Sequence, residues 1–112
     1  MHRLSVRVLT ILAFVLALAG AAVAQVTTGV IVGTVTDQTG AVVAGASVTA
    51  INKSTGLAKT VTTNEQGEYE IGPLPPAEYE VTSEASGFTK IVQPGVIVNV
   101  SSRISVTFTL NL

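Results

Sequence analysis

The chain has no cysteine and no tryptophan, and its single histidine and single methionine are His2 and Met1. Without cysteine, the fold must be held together by its core and hydrogen bonds, not by disulfides. Beyond residue 2 there is neither an imidazole nor a thiol to serve a nucleophilic enzyme or a zinc site. We therefore expect no catalytic, cofactor or metal residues and no enzymatic activity. A lysine-based hydrolase is the alternative, and no motif supports it.

Charged residues are also scarce, at 12% of the 112 residues. Beyond residue 24, four basic residues face seven acidic ones, a net charge of −3. No cluster of lysine or arginine is present, so the chain lacks the electrostatic footprint of a nucleic-acid-binding protein.

The first 24 residues have the organisation of a secretory signal peptide. A basic start with Arg3 and Arg7 precedes an apolar, potentially helical run over residues 8–18. Such a basic segment followed by a short apolar one is typical of export leaders. The alternative is a retained membrane anchor, but a spanning helix needs about 20 apolar residues.

A cleavage pattern of small residues follows this run. Ala22 and Ala24 form an A-x-A motif directly before Gln25. We therefore predict a signal peptide over residues 1–24 and one domain over residues 25–112. The expected location is the periplasm, the outer membrane surface or the cell exterior, with no membrane span in the mature chain.

Period-two alternation and turn residues dominate everything after residue 25, and no segment there has helical periodicity. Eight extended segments are visible, at residues 30–37, 46–52, 57–63, 68–71, 78–85, 88–92, 96–100 and 103–110, and a sandwich with this spacing has about seven strands. Short strands separated by turns at this spacing predict an all-β fold, a seven-stranded antiparallel β-sandwich. Asp37 and Asn64 are expected to cap turns through their side chains.

Two segments repeat the order Glu-Tyr-Glu-apolar, at residues 68–71 and 78–81. The alternation predicts that Tyr69 and Tyr79 face the core while their glutamates face solvent. Between them, residues 72–76 contain three prolines and are predicted to form a loop, with Leu74 plugging the end of the core.

Two ligand classes remain to be weighed against a purely structural role. If the two glutamate-bearing strands pair, their four carboxylates share one surface that calcium could use, although solvated glutamates are the ordinary expectation. A sugar platform needs exposed aromatic rings. Tyr79 and Phe88 are the candidates for ligand or partner contact.

Five short motifs follow one another along the chain. They are residues 33–40 (Gly-x-Val-x-Asp-x-x-Gly), 43–48 (Val-Ala-Gly-Ala-x-Val), 63–69 (Thr-Asn-Glu-x-Gly-x-Tyr), 74–81 (Leu-Pro-Pro-x-x-Tyr-x-Val) and 85–88 (Ala-x-Gly-Phe). In this order they resemble the carboxypeptidase regulatory-like family, whose members are transthyretin-like β-sandwiches related in architecture to Ig-like Greek-key and starch-binding-like domains.

The resemblance implies an accessory module rather than an enzyme. Such modules occur beside carboxypeptidase domains, in adhesin-like surface proteins, and at the N-termini of TonB-dependent outer-membrane receptors. The implied function is that of a non-catalytic, exported spacer or docking domain at the cell envelope, with a protein or envelope component as partner. The alternative is a carbohydrate-binding module. Related collagen-adhesin domains form a Lys–Asn isopeptide bond, but residues 30–36 contain no lysine.

Overall fold

The computed structural model describes residue 10 and residues 27–112. The predicted signal peptide therefore lies outside the described residues, apart from Thr10, and remains a prediction. Within residues 27–112 every regular element is a strand, which confirms the all-β prediction.

Eight strands form two sheets. They are β1 (Gly29–Asp37), β2 (Ser47–Asn52), β3 (Ala58–Thr62), β4 (Glu68–Leu74), β5 (Ala77–Glu84), β6 (Ile91–Val98), β7 (Arg103–Ser105) and β8 (Phe108–Leu110). The first sheet has the order β4–β1–β7, with β8 also paired to β1, and the second has the order β3–β2–β5–β6. Valine, isoleucine and threonine fill these strands because β-branched side chains suit a half-buried pleated surface.

The predicted sandwich is confirmed, but the strand count is eight rather than seven and the pairing is not antiparallel throughout. The last predicted strand is divided at residues 106–107 into β7 and β8, and both run parallel to β1. The parallel pairing arises because the turn at residues 99–102 returns the chain to the end where β1 begins. There Val30 N–H donates to the carbonyl of Ser102 (2.9 Å).

Pro94 and Gly95 do not end a strand, contrary to the prediction of separate strands over 88–92 and 96–100. Instead β6 runs through them, and the register against β5 shifts by one residue between Tyr79 and Val81. This is a β-bulge, with Gly95 at φ 70°. Proline is tolerated here because β6 is an edge strand and the bulged residue needs no ladder hydrogen bond.

The edge strand β4 behaves similarly. It continues through Pro73 to Leu74, beyond the predicted end at residue 71, and its register against β1 also shifts by one residue there. The predicted loop is therefore confined to residues 75–76.

The core lies between the two sheets and contains the residues that alternation predicted. Tyr69, Ile71, Tyr79 and Val81 are all buried, and Leu74 is 4% exposed at the end of the core. The Tyr69 and Phe108 rings pack with centroids 6.4 Å apart. Period two therefore predicted the buried face correctly on both tyrosine-bearing strands.

The first strand and the last two meet at a glycine. A Cβ on Gly33 would lie 1.8 Å from the Val106 carbonyl oxygen, so no larger residue fits without moving the backbone. Val106 N–H donates to the Val32 carbonyl (2.8 Å), and the Tyr69 hydroxyl donates to the Val106 carbonyl. Gly33 thus allows the step between β7 and β8 to lie directly against β1.

The four glutamates do not share a surface. Their strands, β4 and β5, belong to different sheets, so the pairing on which a calcium site depended is absent. Glu70 instead lies 3.3 Å from Arg103, and Glu80 lies 3.4 Å from Lys53. Both are exposed pairs of the kind that contribute little to stability.

Two buried hydroxyls in the core make a matched stability test. Ser83 Oγ is fully buried and has no hydrogen-bond partner within residues 27–112. Thr63 Oγ1, also buried, donates to the Val43 carbonyl (2.8 Å) and accepts from Ala46 N–H (2.9 Å).

We expect Ser83→Ala to leave the free energy of unfolding unchanged or to raise it by about 1 kcal/mol, because it removes an unsatisfied buried group. Thr63→Val should lower that free energy by about 1–3 kcal/mol, because two buried backbone groups lose their partner. Urea denaturation measures both. A loss on Ser83→Ala as large as that on Thr63→Val would contradict the assignment.

Candidate functional site

The connecting loops are divided between the two ends of the sandwich. At the upper end, where β1 finishes, lie residues 38–46, 63–67, 85–90 and 111–112. At the lower end lie residues 27–28, 53–57, 75–76 and 99–102. The loops at residues 38–45 and 64–67 therefore share the upper end, while those at residues 53–56 and 75–76 share the lower end.

The upper rim begins with a turn organised by Asp37. Its Oδ1 accepts hydrogen bonds from Thr39 Oγ1 (2.6 Å), Thr39 N–H (2.9 Å) and Ala41 N–H (3.1 Å). The hydrogen bond from the Thr39 hydroxyl, helped by nearby backbone N–H groups, holds the pKa of Asp37 below its usual value although desolvation opposes it. The predicted capping role of Asp37 is confirmed.

Asn64 organises the neighbouring turn in the same way. Its Oδ1 accepts from Gln66 N–H (3.0 Å) and Glu68 N–H (2.9 Å), also as predicted. Gly67, at φ 73°, completes the turn and packs against the Val35 carbonyl. These side-chain bonds fix the two upper loops without any cross-link.

Tyr79, a predicted contact residue, is 2% exposed. Its hydroxyl donates to the Pro75 carbonyl (2.7 Å), so the side chain holds the proline turn at the lower end. Tyr69 is buried at the opposite side of the core, where desolvation raises the pKa of its hydroxyl far above the usual range. Ligand contact by Tyr79 remains a prediction, and its described contacts are those of a core residue.

Phe88, the other predicted contact residue, lies in the upper turn after Gly87 rather than in a strand, and it is half-buried. Phe88 lines two concavities. One is a polar cleft of about 370 Å³, which Phe88 lines with Ser47, Glu84, Ser86 and Lys90. The other is a smaller, mainly apolar cavity of about 150 Å³, which Phe88 lines with Leu110 and Leu112.

The polar cleft is formed by pairing that short-range sequence patterns do not reveal. Ser47 of β2 and Glu84 of β5 are direct cross-strand neighbours although 37 residues separate them in the chain. The turn at residues 85–90 then brings Phe88 and Lys90 over them. Only Phe88 carried a sequence signal, as an aromatic residue following a turn glycine.

A further cleft, of about 500 Å³, is lined by residues of β1, β3, β4 and β7. Its polar lining includes Thr34, Glu68, Glu70 and Arg103. Among the described residues no group of three or more His, Cys, Asp or Glu side chains is placed to hold a metal ion. In the described part of the chain, no helix is long and apolar enough to cross a membrane.

Fold and composition together define a small β-sandwich module whose polar groups are occupied chiefly in fixing turns. The carboxypeptidase regulatory-like domain family model matches residues 30–111. The chain therefore belongs to the carboxypeptidase regulatory-like domain family, as its motifs predicted. No curated protein matches the chain significantly.

Solved structures share the fold at low sequence identity. A Bacteroides uniformis protein provisionally named as carbohydrate binding aligns with TM-score 0.60 and 22% identity, over 74% of this chain and 41% of its own. The 3-chlorocatechol 1,2-dioxygenase of Rhodococcus opacus aligns with TM-score 0.57 and 15% identity, over 75% and 59%. The catechol 1,2-dioxygenase of an Acinetobacter species aligns with TM-score 0.54 and 11% identity, over 78% and 54%.

These likenesses concern the sandwich alone. The chain spans less than two thirds of each of these larger proteins. Their shared feature is one β-sandwich embedded in proteins of different activity, and a common fold does not carry activity with it.

The Asp37 turn predicts a measurable pH dependence. Because the folded pKa lies below the ordinary 3.8, the group stabilises the fold above its unfolded pKa, and this stabilisation is lost as pH falls through the folded pKa. Thr39→Val removes the largest cause, so the Asp37 pKa should rise toward its ordinary value. Carbon-detected NMR titration of the carboxyl group measures the shift. Thr109→Val, an exposed change on β8, is the control, and an equal shift there would contradict the assignment.

Proposed function

We propose that the chain is a non-catalytic, exported accessory module that acts as a spacer or docking domain at the cell envelope. The observation that carries the proposal is the placement of the two ends of the described domain. Residue 27 lies at the lower end of the sandwich and residue 112 at the upper end. A segment following residue 112 would be attached at the upper end, so the mature N-terminus and the lower loops would be presented at the opposite end of the sandwich.

The geometry of both ends supports a fixed separation. At the lower end Ser101 N–H donates to the Thr28 carbonyl (2.9 Å), and at the upper end Thr89 N–H donates to the Asn111 carbonyl (2.6 Å). The nine residues of β1 span roughly 30 Å at 3.3 Å each. Chain ends in single domains often lie close together, so their separation here favours a spacer that presents one end while a following segment is attached at the other.

The side-chain chemistry supports a binding or spacing role over catalysis. Beyond residue 2 the sequence has no imidazole or thiol. The Asp37 carboxylate and the amide of Asn64 are engaged by turn N–H groups. The N-terminal module of a TonB-dependent receptor-like protein is the setting we propose, on the strength of the leader followed directly by a domain of this family.

Export gives the proposal its first test. Full-length chain with a C-terminal tag, expressed in a Gram-negative host, should appear in the periplasmic fraction with an intact mass beginning at Gln25. Replacing both Ala22 and Ala24 with leucine should block cleavage, because the peptidase site accepts small residues there. The uncleaved chain should then remain with the membrane fraction. Full-length wild-type chain in the cytoplasm would overturn the export proposal.

A second candidate function is carbohydrate recognition at the polar cleft beside Phe88. One aromatic side chain, two hydroxyls, one carboxylate and one ammonium group line a volume within the range of small-molecule sites. Glu84 and Lys90 offset each other in charge, which favours a neutral polyhydroxylated ligand. The provisional name of the Bacteroides uniformis protein is a further reason to test sugars first.

Affinity electrophoresis through gels containing neutral polysaccharides tests this candidate. Retention should be strong for the native chain and reduced several-fold in Phe88→Ala, because the apolar ring face is lost. Val92→Ala, an exposed substitution on β6 at a residue that does not line the cleft, is the matched control. No retention on any polysaccharide, or equal retention of Phe88→Ala, would rule out the cleft as a sugar site.

A further inference from the structure

The free edge of β3 differs from the other edges of the two sheets. The β4 and β6 edges each contain a proline at a β-bulge, and the remaining edge of the first sheet is divided between the three-residue strands β7 and β8. By contrast β3 pairs with β2 in an unshifted register and contains no proline. Among residues 27–112 it is therefore the edge best suited to accept another strand.

The hydrogen-bonding groups that β3 presents outward follow from its pairing with β2. At the end of this ladder Thr63 N–H donates to the Ala46 carbonyl (2.9 Å). Because hydrogen-bonded pairs alternate along an antiparallel ladder, the odd-numbered residues of β3 bond to β2, and the N–H and C=O groups of the even-numbered ones point away from it. These outward residues are Ala58, Thr60 and Thr62.

The outward groups of β3 are complementary to those of a second, identical strand. If β3 of another copy runs antiparallel with Thr60 opposite Thr60, then Ala58 of each copy lies opposite Thr62 of the other. Every outward N–H and C=O group of the strand then meets an outward group of the second copy. Because this two-fold pairing occupies the same edge in both copies, it closes at a dimer and does not propagate.

We propose that two copies of this chain associate through β3, which joins their four-stranded sheets into one continuous sheet. The proposal goes beyond the spacer function and depends neither on export nor on sugar binding. A five-residue strand makes a contact smaller than those of stable complexes, so the association is weak and becomes appreciable at high concentration.

Lys59 selects the register of this pairing. A charged residue on the inner face of an edge strand discourages strand addition in many proteins. Here the Lys59 ammonium donates to the Gly72 carbonyl of β4 (2.6 Å), so it is directed toward its own sandwich. With Thr60 on the two-fold axis, Lys59 lies opposite Val61 of the second copy. A two-residue shift one way places Lys59 opposite Lys59, where like charges repel, and a shift the other way leaves Ala58 unpaired.

The side chains along the proposed contact favour it as well. Ala58, Thr60 and Thr62 are small, neutral and exposed. The antiparallel arrangement brings the lower end of one copy beside the upper end of the other. The lower loop next to β3 carries Lys53 and the upper loop carries Glu65, so each end of the contact combines charges of opposite sign.

Disulfide cross-linking measures the pairing and its register. The native sequence has no cysteine, so single-cysteine variants of the full-length chain can be equilibrated in a glutathione redox buffer. Cα atoms of a hydrogen-bonded antiparallel pair lie about 5.5 Å apart, within the range that a disulfide spans. Thr60→Cys should therefore give several-fold more cross-linked dimer than Thr62→Cys, because the two copies of residue 62 lie about 13 Å apart in this register.

A mixture of Ala58→Cys and Thr62→Cys is the second check on the register. These two positions are opposed, so the mixed dimer should exceed either homodimer several-fold. Equal yields from all variants would indicate random collision or association through the leader, and would overturn the proposal. A chain that stays monomeric also overturns it, even if β3 then captures a strand of another protein.

A charge exchange on the axis tests the two-fold symmetry. Thr60→Lys and Thr60→Glu should each weaken association several-fold, because like charges lie directly opposite each other. An equimolar mixture should restore association, because opposite charges then meet. Sedimentation velocity at low salt, where screening is weak, measures the dimer fraction.

Thr109→Lys and Thr109→Glu, exposed changes on β8, are the matched controls for the charge exchange. Both should associate like the native chain, alone and mixed. A Thr60 mixture that associates no better than the single variants would contradict the two-fold pairing. Export and cleavage before Gln25 are measured on a separate readout, so the spacer proposal is judged independently of this result.

Discussion

The close approach of two backbones at Gly33 is the constraint on which the rest of the structure depends. The first strand can accept β7 and β8 side by side only because residue 33 has no Cβ to meet the Val106 carbonyl. That contact places Phe108 and Leu110 over the core and closes one side of the first sheet. The Tyr69 hydroxyl then satisfies the carbonyl that the close approach would otherwise bury without a partner. In this domain without disulfides, main-chain contacts thus hold the first strand against the last two strands.

Local chemistry made much of this fold predictable from the sequence. The alternation around Tyr69 and Tyr79 identified the buried face of two strands, and the turns at Asp37 and Asn64 formed through the side-chain bonds expected of those residues. These features depend on neighbours within a few residues. The family assignment followed for the same reason, since its motifs are mostly turns and strand starts.

Features that depend on distant pairing were not predictable in this way. Nothing within residues 68–81 indicates that one glutamate pair belongs to each sheet, because the short turn after Leu74 can connect strands of one sheet or of two. The strand through Pro94 was missed because a bulge accommodates the proline only when the strand is at an edge. The direction of β7 and β8 likewise depends on where the chain crosses between sheets, which the alternation of residues 103–110 does not encode.

The candidate site also combines one locally predictable residue with residues that only distant strand pairing brings together. Phe88 was identifiable as an aromatic residue after a turn glycine, whereas its polar neighbours Ser47 and Glu84 come together only through the register of β2 against β5. Of the two aromatic candidates, the structure places Phe88 beside a cleft and Tyr79 inside the core. The distinction comes from the turn at residues 85–90, which carries Phe88 out of the alternating pattern.

The prolines at the two bulged edge strands affect how copies of the domain can associate. Pro73 in β4 and Pro94 in β6 each leave a gap in the row of donors that an approaching strand would need, and each bulge bends the edge away from a straight template. Neighbouring copies of the domain are therefore hindered from pairing through the β4 and β6 edges. Proline at these positions would disfavour intermolecular strand addition at β4 and β6.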